Sequence, residues 1–281
     1  MAVLGVDVGG TTVKARVTAG DGAVLAQWRE PTPTGDPEAL AALVRRATEW
    51  YPVDAVGLVV PGIVDERTGV CLQAVNLGWH DVPVRDLVAA EVGVPLAFGQ
   101  DVRAGALAEV RTGAAAGCAE PVLFAAVGTG LAGALVVEGR VLDSPWAGEI
   151  GQVLLPGGGR VEEVASASAL ARAVGAPDAL TVAERVRAGD SAAAAAWRSC
   201  VRALAEAVAW TTAAVGCAIV VLGGGLAESG ALLLDPLARE VTGRLGILRA
   251  PALRRAHHGD TAAVLGATLL AHDLLAGSVA R

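Results

Sequence analysis

The chain has no surplus of positive charge, no paired cysteines and no long apolar run, and each absence removes a class of function. Its 22 basic residues face 29 acidic ones, a formal net charge of −7. Binding to a nucleic-acid backbone is dominated by Lys and Arg neutralising phosphates, so no nucleic-acid partner is expected. Cys71, Cys118, Cys200 and Cys217 are scattered, with no Cys-x-x-Cys pair. Neither a disulfide framework nor a zinc ribbon is written here, and the four read as small buried apolar residues in a reducing cytoplasm. No apolar stretch reaches the roughly 20 residues of a membrane helix, and the opening MAVLGVDVGG carries no basic leader. A soluble, cytoplasmic protein with no membrane partner is expected. Lysine is scarce as well: Lys14 is the only one among 22 basic residues, which arginine bias in a GC-rich genome explains without function.

What is present points to a compact, turn-rich α/β protein. The apolar fraction is 53% with 36 glycines, far from the low hydrophobicity and high charge of disorder, and 281 residues allow two lobes. Val3–Val8, Thr11–Val17 and Ala23–Trp28 read as a three-stranded meander. Asp36-Pro37 starts a helix carrying Leu40, Leu43, Val44, Ala47 and Trp50 at helical spacing. A strand at Ala55–Val60, a helix at Val84–Val92 and a strand at Pro95–Phe98 follow. The second half repeats the plan with strands at Val122–Val127, Leu131–Val137 and Arg140–Leu142, helices through most of 164–215, a strand at Ile219–Leu222 and a further helix. The duplication predicts two similar lobes across a cleft, a favoured ligand site. The boundaries are 1–108 for the first lobe and 109–260 for the second, with a last helix, about 261–281, packing back on the first.

Three glycine turns carry the chemistry. In GVDVGGTTVKA, residues 5–15, Asp7 ends an apolar strand and Gly9-Gly10-Thr11-Thr12 form the turn. Such glycines let backbone N–H groups approach phosphate oxygens, and Asp7 is placed to orient a magnesium ion through water. Taken alone, Gly-Gly-Thr fits an ordinary hairpin equally well. The matching turn is Gly128-Thr129-Gly130, and Gly223-Gly224-Gly225 follows a third apolar strand, a place for a nucleoside with a helix N-terminus beyond it. No Gly-Lys-Ser/Thr exists, so none is a Walker loop.

Asp7-x-Gly9-Gly10-Thr11, Pro61-Gly62-x-Val64-Asp65, Asn76-Leu77-x-Trp79, Asp101-x-x-Ala104-x-Ala106-x-x-Glu109, Gly128-Thr129-Gly130, Gly148-Glu149-Ile150-Gly151, Glu162-x-x-x-Ser166 and Gly223-Gly224-Gly225 fall in an order that resembles bacterial ROK-family sugar kinases of the glucokinase-like branch. The resemblance covers nearly the whole chain. It implies two ribonuclease-H-like lobes of the actin/hexokinase superfamily around a central cleft, and ATP-dependent phosphorylation of a hexose hydroxyl, most often the 6-OH, commonly in a homodimer. It makes Asp101 the catalytic base, although read from the residues alone Asp101 is rather a helix cap. It makes Glu149, Glu162, Asn76 and Gly62 sugar contacts. Asp7, Gly9, Gly10, Thr11, Thr12, Lys14 and the two later glycine turns fall to ATP, with Mg2+ held through water by Asp7. Trp79 either walls the cleft or packs in the core.

The departures from that pattern are specific. Gln100 stands where the family has Asn before the catalytic Asp, and Gln152 where it has a His that serves both zinc and sugar. The Cys-rich zinc loop is replaced by LPGGGRVEEV. With no cysteine between Cys118 and Cys200, no structural zinc is expected, and the triplet Gly157-Gly158-Gly159 reads as a zinc loop without its ligands. Gln100 and Gln152 then line the sugar pocket. They leave open glucose, an amino sugar such as kanosamine, another hexose or a C7-cyclitol. A non-catalytic sugar-sensing protein is the alternative from another class; the family's repressors carry an N-terminal extension, whereas here the first strand is expected at residue 3. His257-His258 is expected in an exposed loop before a helix capped by Asp260.

Overall fold

A computed structural model describes residues 1–277. The chain forms two compact units: Met1–Ala108 with Asp143–Trp146 and the segment from Thr261 onward, and Glu109–Leu142 with Ala147–Asp260.

In the first unit β1 (Ala2–Val8), β2 (Thr12–Ala19) and β3 (Val24–Pro31) form an antiparallel meander. Asp36 accepts the Ala39 N–H at 2.8 Å and Pro37 opens α1 (Pro37–Trp50), so the Asp-Pro pair acts as a start signal. β4 (Ala55–Val60) pairs parallel with β1. Next come β5 (Ile63–Asp65), β6 (Val70–Ala74), β7 (Trp79–Val82) and α2 (Val84–Val92), then β8 (Leu96–Gln100), parallel with β4, and α3 (Asp101–Arg111). The main sheet runs β3-β2-β1-β4-β8. Val6, Leu58, Leu40, Val44 and Val88 join sheet, α1 and α2 in one core.

Two expectations change here. Residues 63–82 form a separate three-stranded antiparallel sheet, β5-β6-β7, whose strands of 3 to 5 residues are too short to show period-two alternation. Trp50 is 61% exposed, while Leu40, Leu43, Val44 and Ala47 are buried, because it is the last helical residue before Tyr51 turns extended. Trp79 lies in the core at 3% exposure.

The second unit holds β9 (Val122–Val127), β10 (Leu131–Val137), β11 (Arg140–Val141), α4 (Glu162–Ala165), α5 (Ala167–Ala173), α6 (Ala179–Arg187), α7 (Ser191–Val215), β12 (Ile219–Gly223), α8 (Ala231–Leu245) and β13 (Ala252–Arg255). Its sheet, β11-β10-β9-β12-β13, repeats the first unit's plan: an antiparallel meander continued by parallel strands. The duplicated α/β reading is therefore correct, although β13 was not foreseen. Asp190 accepts the Ala192 and Ala193 N–H groups to start the 25-residue α7, and Gly216 at φ 74° ends it. Pro236 lies inside α8, where it cannot donate to the Leu232 carbonyl; the Trp197 Nε1–H does so instead, at 3.1 Å. The glycine triplet 223–225 runs into a single 3-10 turn, Gly225–Ser229, and α8 begins only at Ala231. The expected helix N-terminus beside the triplet is thus displaced by that turn.

The C-terminal helix α9 (Ala262–Leu275) packs on β1 and β4 of the first unit, with Val3, Ala55 and Ala271 in one cluster and Val59, Ala104 and Ala267 in another. Backbone approaches backbone here: a Cβ on Gly57 would overlap the Ala267 carbonyl oxygen, and one on Gly266 that of Ala104. Asp260 does not cap this helix; it sits in a 3-10 turn, and the N-cap is Thr261, without a side-chain cap bond. Helix α9 ends at Leu275, and residues 278–281 lie outside the described residues. Among the described residues no helix is long and apolar enough to cross a membrane.

Cys71, Cys200 and Cys217 are buried, and Cys118, read as buried, is partly exposed. Burial pushes the Cys71 thiol up to about 11 and Cys200 up to about 12. Thiol titration of the native protein is therefore expected to modify Cys118 quickly and the other three only on unfolding; rapid labelling of Cys200 in the native protein would contradict this packing.

Candidate functional site

In the first unit, Asp7 near the end of β1 is buried, directly opposite Lys14 in the β1–β2 register, with Lys14 Nζ 3.6 Å away. The turn between them closes through Gly9 N–H to Thr12 O at 3.0 Å. Thr32 braces it from outside, donating its hydroxyl to Gly9 O at 2.7 Å and its N–H to Thr11 O at 3.1 Å. Gly10 lies against Asn76, whose Cβ would be 3.3 Å from a Cβ added at Gly10. The fold thus brings Asn76 to the first glycine turn. Gly62 has φ 99° and an added Cβ would overlap Gln73 O, so its place is set by the bend between β4 and β5.

The start of α3 is held by a set of side-chain hydrogen bonds. Gln100 Oε1 accepts the Arg103 N–H at 2.8 Å, and Asp101 Oδ1 accepts the Val102 N–H at 2.7 Å. The capping bond three residues on is therefore made by Gln100. Glu66 Oε1 accepts both Gln100 N–H at 2.9 Å and Arg103 Nε–H at 2.7 Å. Arg103 also donates to Ser144 O and Val64 O, both at 2.6 Å. Burial pushes the Glu66 carboxyl above its ordinary range against the opposing pull of the Arg103 guanidinium.

In the second unit, the turn Gly128–Gly130 and the triplet Gly223–Gly225 leave adjacent parallel strands, β9 and β12, at the same end. Gly224, at φ 80°, would place a Cβ 2.5 Å from Val127 O, so the two turns are packed together. Gly128 N–H bonds Gly130 O at 3.0 Å, and Gly128 O takes the Ala167 N–H at 2.8 Å. Glu162, at the start of α4, lies against the same turn: its Oε2 is 3.1 Å from the Cβ position of Gly130. Its Oε1 accepts the Gln152 amide at 2.6 Å. Glu149 precedes the 3-10 turn Ile150–Gln152, and is held nearby by Gly148, whose carbonyl accepts the Gly133 and Ile150 N–H groups at 2.7 Å.

The loop 153–161 is ordered by protein groups. Leu154 bridges Arg160, Leu155 N–H bonds Gly159 O at 2.9 Å, and Arg160 Nη1 donates to Gln152 O at 2.6 Å. Gln152 is committed to Glu162, and no cysteine lies in this segment. These residues do not fit a tetrahedral zinc site. Among the described residues no group of three or more His, Cys, Asp or Glu side chains is placed to hold a metal ion. A magnesium ion is a different case, because it keeps its waters and asks for hard oxygens, which the Asp7 carboxylate offers. His257 and His258 are tied by their backbone N–H groups to the buried Glu109, at 3.0 and 2.8 Å.

Glu66, Arg103 and Arg160 were missed as organising residues. A signal for Arg103 existed: in DVRAGALAEV it is the one basic residue, next to a run of Ala, Gly and Leu. Nothing local in sequence pairs it with Glu66, 37 positions earlier.

Comparison with known proteins places this geometry. Residues 3–274 match the ROK family. A glucokinase from Halalkalibacterium halodurans is 35% identical over 191 residues, 60% of this chain and 58% of its own length. An N-acetylmannosamine kinase from Yersinia pseudotuberculosis is 30% identical over 97% of this chain and 99% of its own. A crystal structure of a ROK family glucokinase from Streptomyces griseus, in complex with glucose and AMPPNP, superposes with a TM-score of 0.83 at 27% identity, covering 97% of this chain and 100% of that one.

Proposed function

The chain belongs to the ROK family and is an ATP-dependent sugar kinase, and we propose that it transfers the γ-phosphate to the 6-hydroxyl of a hexose or hexose-like acceptor with Asp101 as general base. The observation that carries this is the division of labour at α3. The Arg103 N–H is taken by Gln100 rather than by Asp101, which supports a role beyond helix capping for the Asp101 carboxylate, whose Oδ1 accepts the Val102 N–H.

Phosphoryl transfer is chiefly positioning and charge stabilisation. Asp101 accepts the proton of the attacking hydroxyl as the oxygen bonds phosphorus and the ADP oxygen leaves. The backbone of Gly9, Gly10, Thr11 and Thr12, with Lys14, and that of Gly128, Thr129 and Gly130 hold phosphate oxygens, and Gly223–Gly225 lie along the nucleoside. Asp7 would hold a magnesium ion through water, and the ion would supply stabilisation of the negative charge on the transferring phosphate.

Glu149 and Glu162 accept hydrogen bonds from sugar hydroxyls, while Gly62 and Asn76 make further contacts with the sugar. The two glutamines present opposite faces. Gln152 spends its NH2 on Glu162 and offers its oxygen, whereas Gln100 spends its oxygen on Arg103 N–H and offers its NH2.

ADP release is to be measured across glucose, N-acetylmannosamine, free amino sugars and cyclitols. Turnover is expected on at least one acceptor. Glu162→Gln is expected to raise the KM for that sugar about tenfold or more, the worth of a hydrogen bond to a charged group, with the KM for ATP little changed. No turnover on any acceptor would sink the reading.

A further inference from the structure

We propose that Arg103, held by Glu66, is a positioning residue that fixes the direction in which Asp101 presents its carboxylate. This rests on the reading of Asp101 as the base. The Arg103 side chain is 7% exposed and donates in three directions: to Glu66 Oε1 at 2.7 Å, to Val64 O at 2.6 Å and to Ser144 O at 2.6 Å. Glu66 Oε1 also receives the Gln100 N–H, and Gln100 Oε1 receives the Arg103 N–H. Asp101 therefore lies between two residues that are each bonded to the same carboxylate and to one another. The backbone on both sides of the base is closed into a ring of hydrogen bonds, which leaves the first turn of α3 little freedom to rotate.

Such a ring is worth more to orientation than to stability. A buried ion pair contributes little net free energy relative to an apolar pair, although removing one partner alone lowers stability, but a displacement of about 1 Å at a reacting group costs on the order of a hundredfold in rate. The planar guanidinium serves three acceptors from one rigid fork, which an ammonium on a flexible stem does not reproduce.

The test compares Arg103→Lys, Glu66→Gln and Glu66→Ala in the ADP-release assay, with thermal unfolding of each. Arg103→Lys and Glu66→Ala are expected to lower kcat about 10- to 100-fold with both KM values within about twofold, the pattern of an interaction that acts only in the transition state. Glu66→Gln keeps the acceptor oxygen and is expected to retain most of kcat. The double variant Glu66→Ala/Arg103→Lys is expected to be no slower than the worse single variant, since the two act as one unit. Wild-type kcat in Arg103→Lys, a loss confined to KM, or a fall in Tm alone would overturn the proposal. Should Arg103→Lys fail to fold, the contrast between Glu66→Ala and Glu66→Gln decides it. Asp101→Asn separates the two readings: undiminished kcat in that variant removes the base, whereas a kcat lowered about 10²- to 10⁴-fold in Asp101→Asn beside a fully active Arg103→Lys removes only the positioning role.

Discussion

Asp101→Asn is expected to lower kcat by about 10²- to 10⁴-fold, the range over which a positioned general base contributes, while KM for ATP and for the sugar stay close to wild type. The substitution is chosen for what it preserves. Asparagine keeps an oxygen to accept the Val102 N–H that Asp101 Oδ1 accepts at 2.7 Å, and the bonds from Gln100 and Glu66 around it are untouched. The negative charge and the capacity to take up a proton are removed. Undiminished kcat, with the variant folded, would remove Asp101 from the reaction. A rise in KM for the sugar at constant kcat would assign it to binding.

The largest effect on stability is expected at Gly57. A Cβ there would overlap the Ala267 carbonyl oxygen and stand 3.3 Å from Ala271 N, so it meets the backbone of α9 rather than a side chain that can turn aside. Val3, Ala55 and Ala271 on one side and Val59, Ala104 and Ala267 on the other close around this contact. Gly57→Ala must push α9 off β4 or bend the strand, at a cost of about 3 kcal/mol, the upper end for overpacking, read as a Tm lower by on the order of 10 °C. Gly243→Ala is the control. It lies inside α8 with nothing within 4 Å of the added Cβ, and helix propensity favours alanine there. Equal Tm values for the two variants would show that the helix and strand are not packed backbone to backbone.

These variants also separate what local chemistry announces from what it does not. The Asp36-Pro37 start of α1, the strand before each glycine turn and the duplicated order of strands were readable because each is a local pattern: a cap, a run of β-branched residues, a glycine pair. The sheet β5-β6-β7 was not, since its strands are too short to alternate, nor was the exposure of Trp50, which shares the spacing of its buried neighbours but comes after the contact with the sheet has ended. The triplet 157–159 shows the same limit from the other direction. The lack of cysteine in that segment was visible residue by residue, yet what orders the loop, the Arg160 bond to Gln152 O and the Gln152 bond to Glu162, joins groups whose directions no spacing states.

Family, fold class and the places of the glycine turns therefore came from the order of residues along the chain, because backbone conformation and hydrophobic period are properties of short segments. Which group caps α3, what holds Glu66 and Arg103 together, and how closely α9 approaches β4 were decided only by tertiary structure. The first turns on which of two neighbouring side chains faces the Arg103 N–H, a direction that spacing does not state; the other two depend on atoms brought close together from segments 37 or more residues apart.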